Sequence, residues 1–499
     1  MGGTIAKNSL FASVVNYTGS VIGLLSTFFL FPLVFTPSEN GIFRLYIEMG
    51  ALLAGVGQLG TGYSIWKFFP RFKNDSNGNN GIGFWLIVVP LLGLMLVFGC
   101  LYLGKPWVIE FLGKKGKAFL PYYTLLFPFV FFFVFNTVYE IFSAALGNVV
   151  FASFLRENVV RIGLAVLGYV YYVGALNFYG CMLGVSLVYG LVCLFNVINV
   201  HRSTRLSYRP NIEFVNSLPG LRKEFTSYTA YLFLTYVAML VLQRMDFLMV
   251  TKIQGMSDTG IYAIALNMSI LIEIPTRSIL QIANPKLSEA IHDKDDAEVR
   301  RLYEKTSLNQ FVLGALVLLV IWINIDAFFE FMPHGDIYKA GKYAVLFLGI
   351  GKLFVLLQGN SAAMLIFSKR YYLTLIVNVS AILAAVWMNQ WLIPIWGLEG
   401  AAIATGLVWL VSGVVLGLLV WQVYGMQPIN GKVLGAIGIM SVFLCIAEWG
   451  RLVPEQPLVS AGIANLVLVP SCIFILLKLR ISEDINSMWT KLLGRFIKS

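Results

Sequence analysis

The chain has 499 residues, 58% hydrophobic and 12% charged, with a net charge of +11 and a mean hydropathy of +0.79. Soluble domains average about 45–50% apolar and about 25% charged residues, which excludes an ordinary cytosolic enzyme, a disordered chain and a fibrous protein. The apolar residues fall into long runs such as Ile82–Leu103 and Asn309–Ile325. A bilayer span needs about 20 of them in succession, so the sequence reads as an all-α polytopic membrane protein.

In chain order, fourteen spans are expected. The first six lie near 10–35, 41–65, 82–103, 119–145, 157–176 and 181–200. The next six lie near 227–250, 261–283, 307–327, 342–367, 372–392 and 400–423, followed by 432–449 and 459–478. The first follows Lys7 and is too long for the apolar core of a cleavable signal, so it is expected to stay. Beyond Ile485, Met488, Trp489, Leu492, Phe496 and Ile497 recur at helical spacing opposite Lys491, Arg495 and Lys498. That pattern predicts a basic amphipathic helix on the inner leaflet.

The loops set the orientation. With the N-terminus inside, 24 Lys and Arg side chains face the cytoplasm and eight face outward. Basic residues favour the cytoplasmic side, so both termini are expected there. The same bias accounts for the net charge through anionic lipid, without nucleic acid. The five cysteines sit in apolar runs with no CxxC, and His201, His292 and His334 lie far apart. No metal or cofactor is expected.

A weak internal repeat runs through the first twelve spans. Ser38-Glu39-Asn40-Gly41-Ile42-Phe43 returns as Ser257-Asp258-Thr259-Gly260-Ile261-Tyr262, with the glycines 219 residues apart. Phe69-Pro70-Arg71 returns as Asn284-Pro285-Lys286, and Tyr179-Gly180 as Glu399-Gly400. Each of these glycines reads locally as the cap of a re-entering helix. The repeat predicts lobes at 1–203 and 227–424, a connection at 204–226, extra helices over 425–478 and a tail at 479–499. Parallel repeats of this kind build transporters with a central site between lobes.

An ionisable side chain inside a span costs about 2.5–3.5 kcal/mol on insertion scales and normally faces a cavity or a partner. Lys352 lies ten residues into span 10 with no acid one turn away, and Glu273 lies at a similar depth in span 8. Arg277 follows Glu273 at i+4, and Arg44 precedes Glu48 by the same spacing, so pairing along each helix is one reading. Arg244 and Asp246 fall in the outer part of span 7, and Glu140 in the inner part of span 4. The four cations form a candidate anion site, and the four acids candidate coupling groups. A structural pair of Lys352 with Glu273 is the competing reading. Asn16, Tyr17, Gln58, Tyr63, Asn136, Gln243, Asn267 and Gln358 suit either sugar hydroxyls or contacts between helices.

The turn at Ser38–Phe43, the run Asp246-Phe247-Leu248-Met249-Val250 leading to Gly260-Ile261-Tyr262-Ala263-Ile264-Ala265, and Gly397-Leu398-Glu399-Gly400-Ala401-Ala402 carry a family resemblance. The sequence resembles the polysaccharide flippases of the multidrug/oligosaccharidyl-lipid/polysaccharide exporter superfamily. The resemblance implies two six-helix lobes around a cavity, plus two extra helices, in the bacterial inner membrane. It implies export of undecaprenyl-pyrophosphate-linked oligosaccharide for surface polysaccharide such as O-antigen. Membrane lipid and polysaccharide-assembly proteins are the other partners it suggests. A drug or cation exporter of the same superfamily is the alternative. A membrane glycosyltransferase would call for a large outer loop, which the sequence lacks, so no enzymatic activity is expected.

Overall fold

The computed structural model describes residues 15–113, 115–217, 221–368, 370, 372–449, 456–482 and 486. The amphipathic tail expected near 485–499 falls, apart from Asn486, outside them. Among the described residues the chain is almost wholly helical, with no strand. Hydrocarbon offers backbone groups no partner, so each segment has to bond its own N–H and C=O groups.

The chain divides into two compact units, Met1–Gly260 and Ile261–Ser499. The first holds α1 (Val15–Val34), α2 (Pro37–Gly57), α3 (Thr61–Phe72), α4 (Ile82–Leu112), α5 (Leu126–Ala145), α6 (Val149–Phe154) and α7 (Val160–Tyr172). It continues with α8 (Phe178–Ser203), the short α9 (Ile212–Ser217), α10 (Leu221–Ile253) and the start of α11 (Met256–Ile270). The second unit holds the rest of α11, α12 (Ile274–His292), α13 (Asp296–Phe331), α14 (Lys342–Leu357) and α15 (Ser361–Phe367). It ends with α16 (Tyr372–Tyr424), α17 (Gly431–Trp449) and α18 (Pro457–Lys478). α10 packs inside the first unit, with Leu240 against Gly55 and Thr229 against Gly60.

Among the described residues, eleven helical stretches are long and apolar enough to cross a membrane. Spans 2 and 5 and the division between spans 11 and 12 are missing from that count, and span 10 is cut as well, between α14 and α15 at Gly359. α16 spans two expected segments and bends at Gly397, whose φ of 55° and ψ of −129° are not helical. Span 2 is cut into α2 and α3 by Leu59 and Gly60, both at positive φ. Span 5 begins in a π-helical turn, Leu155–Val159, that carries Arg156 and Glu157, and its α-helical part, α7, is only 13 residues long. Large apolar side chains such as Leu383, Trp387, Trp391 and Leu466 remain exposed, as lipid contact requires of a multi-pass membrane protein.

The repeated glycines serve a different purpose from the one their sequence suggests. α2 starts at Pro37, not at residue 41. Thr36 accepts from the Glu39 N–H while the Glu39 carboxylate accepts from the Thr36 N–H, a capping box with proline in the first turn. Gly41 therefore lies inside a helix, and Gly260 likewise inside α11. A Cβ on Gly41 would overlap the Met256 carbonyl oxygen, and one on Gly260 the Pro37 carbonyl oxygen. The contact is reciprocal: Pro37 and Met256 are themselves 219 residues apart, as the glycines are. Both glycines are there because two helix starts approach to backbone contact.

The repeat also extends to the helix breaks. Span 2 is interrupted just after Gln58, and span 8 by a 3₁₀ turn at Leu271–Glu273, so Gln58 and Glu273 stand 215 residues apart at matching positions. Pro275 in the first turn of α12 fits the restart of that helix.

Gly41→Leu should destabilise the protein by about 1–3 kcal/mol, the usual penalty for overpacking. Thermal unfolding of the detergent-purified chain reads this as a lower midpoint. A midpoint equal to that of the unaltered protein would mean the reciprocal contact is not made.

Candidate functional site

The deepest charges of the second unit meet at the break of span 8. Glu273 ends the 3₁₀ turn between α11 and α12, and its Oε1 accepts from Lys352 Nζ on α14 at 2.7 Å. Lys352 is ten residues into α14, about 15 Å along it at 1.5 Å per residue. Its ammonium also lies over the Trp409 ring of α16, 4.2 Å from the centroid. Glycine makes that arrangement fit. A Cβ on Gly351 would lie 2.7 Å from the Gly406 Cα and 2.9 Å from the Trp409 ring, so α14 and α16 can come this close only without side chains there. Gln358 donates through Nε2 to the Trp409 carbonyl at 3.3 Å, and its amide occupies the space left by Gly413.

The cation is therefore held from two sides. The carboxylate supplies charge and the indole supplies its negative face, an attraction worth about 2 kcal/mol or more when desolvated. Neither partner is fully enclosed: the side chains of Lys352 and Glu273 keep 15% and 24% of their exposure. An ion pair left partly open to its surroundings can exchange partners with an incoming anion. Arg277, one turn along α12 from Glu273, is exposed and makes no ion pair among the described residues. The pairing along the helix that its spacing suggested is replaced by the cross-helix pair to Lys352.

The first unit carries a second such pair. Glu48 on α2 meets Arg244 on α10, Oε2 to Nε, at 2.7 Å. Glu48 thus reaches a neighbouring helix rather than Arg44 one turn away. Arg44 donates to Thr27 Oγ1 at 2.9 Å and lies over the Phe31 ring at 5.6 Å. Asp246 is buried, with Oδ1 accepting from the Phe247 N–H at 2.8 Å. Glu140 takes Arg156 at 2.5 Å, and Arg156 and Arg161 both reach Glu157, at 3.0 and 2.6 Å.

Of the eight candidate residues, the structure brings Lys352 to Glu273 and Arg244 to Glu48. It keeps Arg44, Asp246 and Glu140 on separate partners. Sequence reasoning missed Trp409, because an indole in an apolar run carries no mark of its role. It also missed the pair of Lys342, at the start of span 10, with Asp326, 2.8 and 2.9 Å. Of the neutral polar groups, Asn136 accepts from Asn196 on α8 at 3.0 Å, and Asn267 donates to the Ala263 carbonyl of its own helix at 2.7 Å. Like Gln358, these two make protein contacts.

Residues 84–308 match the family model described as polysaccharide biosynthesis protein. No functionally curated protein matches the chain in sequence. Among solved structures, the inward closed form of the lipid II flippase MurJ is similar at 12% identity and a TM-score of 0.72, over 94% of this chain and 99% of that one. An inward-facing multidrug resistance MATE family transporter of the MOP superfamily is similar at 16% identity and a TM-score of 0.63, over 82% and 94%. A MOP superfamily transporter from Pyrococcus furiosus is similar at 15% and a TM-score of 0.56, over 84% and 94%. The resemblance read from the sequence is borne out: the chain has the fold shared by these flippases and transporters.

If Glu48 and Arg244 hold α2 against α10, a double-mutant cycle with Glu48→Gln and Arg244→Gln should return a coupling of about 0.5–3 kcal/mol, the range for residues in contact. Unfolding of the four purified proteins measures it. Strictly additive effects would mean that the two side chains do not interact.

Proposed function

We propose that the protein is a flippase that moves undecaprenyl-pyrophosphate-linked oligosaccharide from the inner to the outer leaflet of the bacterial cytoplasmic membrane. The glycan feeds surface polysaccharide of the O-antigen or capsule type, and both termini lie in the cytoplasm. Two six-helix lobes, 1–203 and 227–424, expose the site alternately to either side. The observation that carries the reading is Lys352, an ammonium ten residues into its helix that forms a partly open pair with Glu273. The match to the polysaccharide biosynthesis family and the fold shared with a lipid II flippase support it.

In this reading the pyrophosphate competes with Glu273 for Lys352. Lys352 and Arg277 bind the phosphate oxygens by charge-assisted hydrogen bonds, and Arg244 and Arg44 are further candidate cations for the substrate. Glu273, released from Lys352, becomes free to take a proton, and Glu48, Asp246 and Glu140 are the other carboxylates suited to coupling. The direction follows from electrostatics. A pyrophosphate lipid carries roughly two negative charges, and a potential negative inside favours outward passage by about 2.3 kcal/mol per charge per 100 mV.

Substitution at Lys352 tests this. Lys352→Arg should retain most of the glycan export, whereas Lys352→Gln should lower it about tenfold or more while still reaching the membrane. That loss follows from removing one charged hydrogen bond of about 1.5–3 kcal/mol. Normal export by Lys352→Gln would refute the phosphate role. Recovery of export in the Lys352→Gln, Glu273→Gln double variant would show that the pair serves packing alone.

A further inference from the structure

The first unit contains a cavity that plays no part in the charge pairs described above. It has a volume of about 430 Å³, within the range of small-molecule sites, and lies along α3 between α4, α9 and α10. Thr61, Ser64, Ile65, Phe68, Phe69 and Phe72 give it one wall, spaced at i, i+3 and i+4 along one face of α3. Trp85, Leu86 and Phe225 lie opposite.

Its chemistry is that of hydrocarbon. The three hydroxyls on the wall are already engaged: Thr61 donates to the Gln58 carbonyl at 2.6 Å, Ser64 to the Gly60 carbonyl at 3.0 Å, and Ser64 and Thr229 bond each other at 2.6 Å. The remaining lining is aromatic and aliphatic. A cavity walled in this way favours an apolar occupant over water. Its length also fits one kind of chain. Thr61 to Phe72 is eleven residue steps, about 16 Å at 1.5 Å per step. Half of a hydrocarbon core about 30 Å thick is about 15 Å, the depth of one leaflet. At the end where α3 meets its basic connection, the Arg71 guanidinium sits 5.7 Å from the Phe68 ring centroid. The exposed Ile212 of α9 continues the apolar lining outward.

We propose that this cavity binds one acyl chain of an anionic glycerophospholipid of the inner leaflet, with Arg71 taking the lipid phosphate. The assignment is independent of what the protein transports. A bound chain would brace α3 against α4 and α10 below the break at Leu59–Gly60, where helix-to-helix packing leaves a gap.

Photolabelling tests it. The full chain is reconstituted into phosphatidylcholine vesicles containing a phosphatidylglycerol with a photoactivatable group at the end of one acyl chain. Labelled residues are then mapped by mass spectrometry. Labels are expected within 61–89 and 212–229, to disappear with excess unlabelled phosphatidylglycerol, and to fall about tenfold in Arg71→Ala, as loss of one charged hydrogen bond predicts. Leu86→Trp, which fills the cavity, should remove the internal label and leave the label on exterior residues such as Leu466. Val89→Trp provides the same test from the next turn should the first variant fold poorly. Label confined to exterior residues would overturn the proposal. So would competition by polyprenyl phosphate but not by phosphatidylglycerol, which would assign the cavity to a transported lipid instead.

Discussion

A charge in hydrocarbon needs a partner, and four pairs in this protein supply it as an opposite charge from another segment. Glu48 with Arg244 ties α2 to α10, Glu140 with Arg156 ties α5 to the π turn after α6, and Glu273 with Lys352 ties the break of span 8 to α14. Asp326 with Lys342 ties α13 to α14. Apolar packing gains little for a helix surrounded by lipid, since lipid tails are as apolar as leucine. Ion pairs between helices, and glycines that let backbones touch, therefore carry much of the specificity. Removing one member of such a pair leaves the other stranded, which is why breaking a buried pair costs more than the pair contributes.

These pairs also explain why so few charges satisfy so much structure. On the proposed function, the same side chains that fix helix register also provide the partly open cation an anionic substrate needs. Structural pairing and substrate binding are not opposed in the case of Lys352. Its pair with Glu273 lowers the cost of keeping an ammonium at depth, and Trp409 adds a second partner that does not depend on charge. An anion that displaces the carboxylate inherits a cation already in place.

Much of the helical architecture was legible in the sequence, because hydropathy runs follow directly from the bilayer. Most of the long helices, the place of Lys352 ten residues into its helix and the 219-residue spacing could be read from residue positions alone. The partners could not. The i, i+4 spacing of Arg44 with Glu48 and of Glu273 with Arg277 favours pairs along a helix, whereas tertiary packing brought a neighbouring helix closer. The glycines at 41 and 260 read as turn residues, since sequence shows that a side chain is missing but not what occupies its place. The break after Gln58 was hidden because Leu59, an ordinary helix former, adopts a left-handed conformation there. Its match at Glu273 emerges only when both helices are seen interrupted at equivalent positions. Interrupted helices at corresponding positions of two repeats are where transporters place their binding sites, and here one of the two breaks carries the Glu273–Lys352 ion pair.

Translocation itself is the most direct measurement. The purified chain is reconstituted into liposomes that contain a fluorescent polyprenyl-pyrophosphate-linked oligosaccharide, and a membrane-impermeant quencher is added outside. The account predicts that the quenched fraction exceeds that of protein-free liposomes and rises when a potential driving anions toward the quencher is imposed. A quenched fraction equal to that of protein-free liposomes, with the same preparation moving a cationic dye, would contradict it and identify a cation exporter instead.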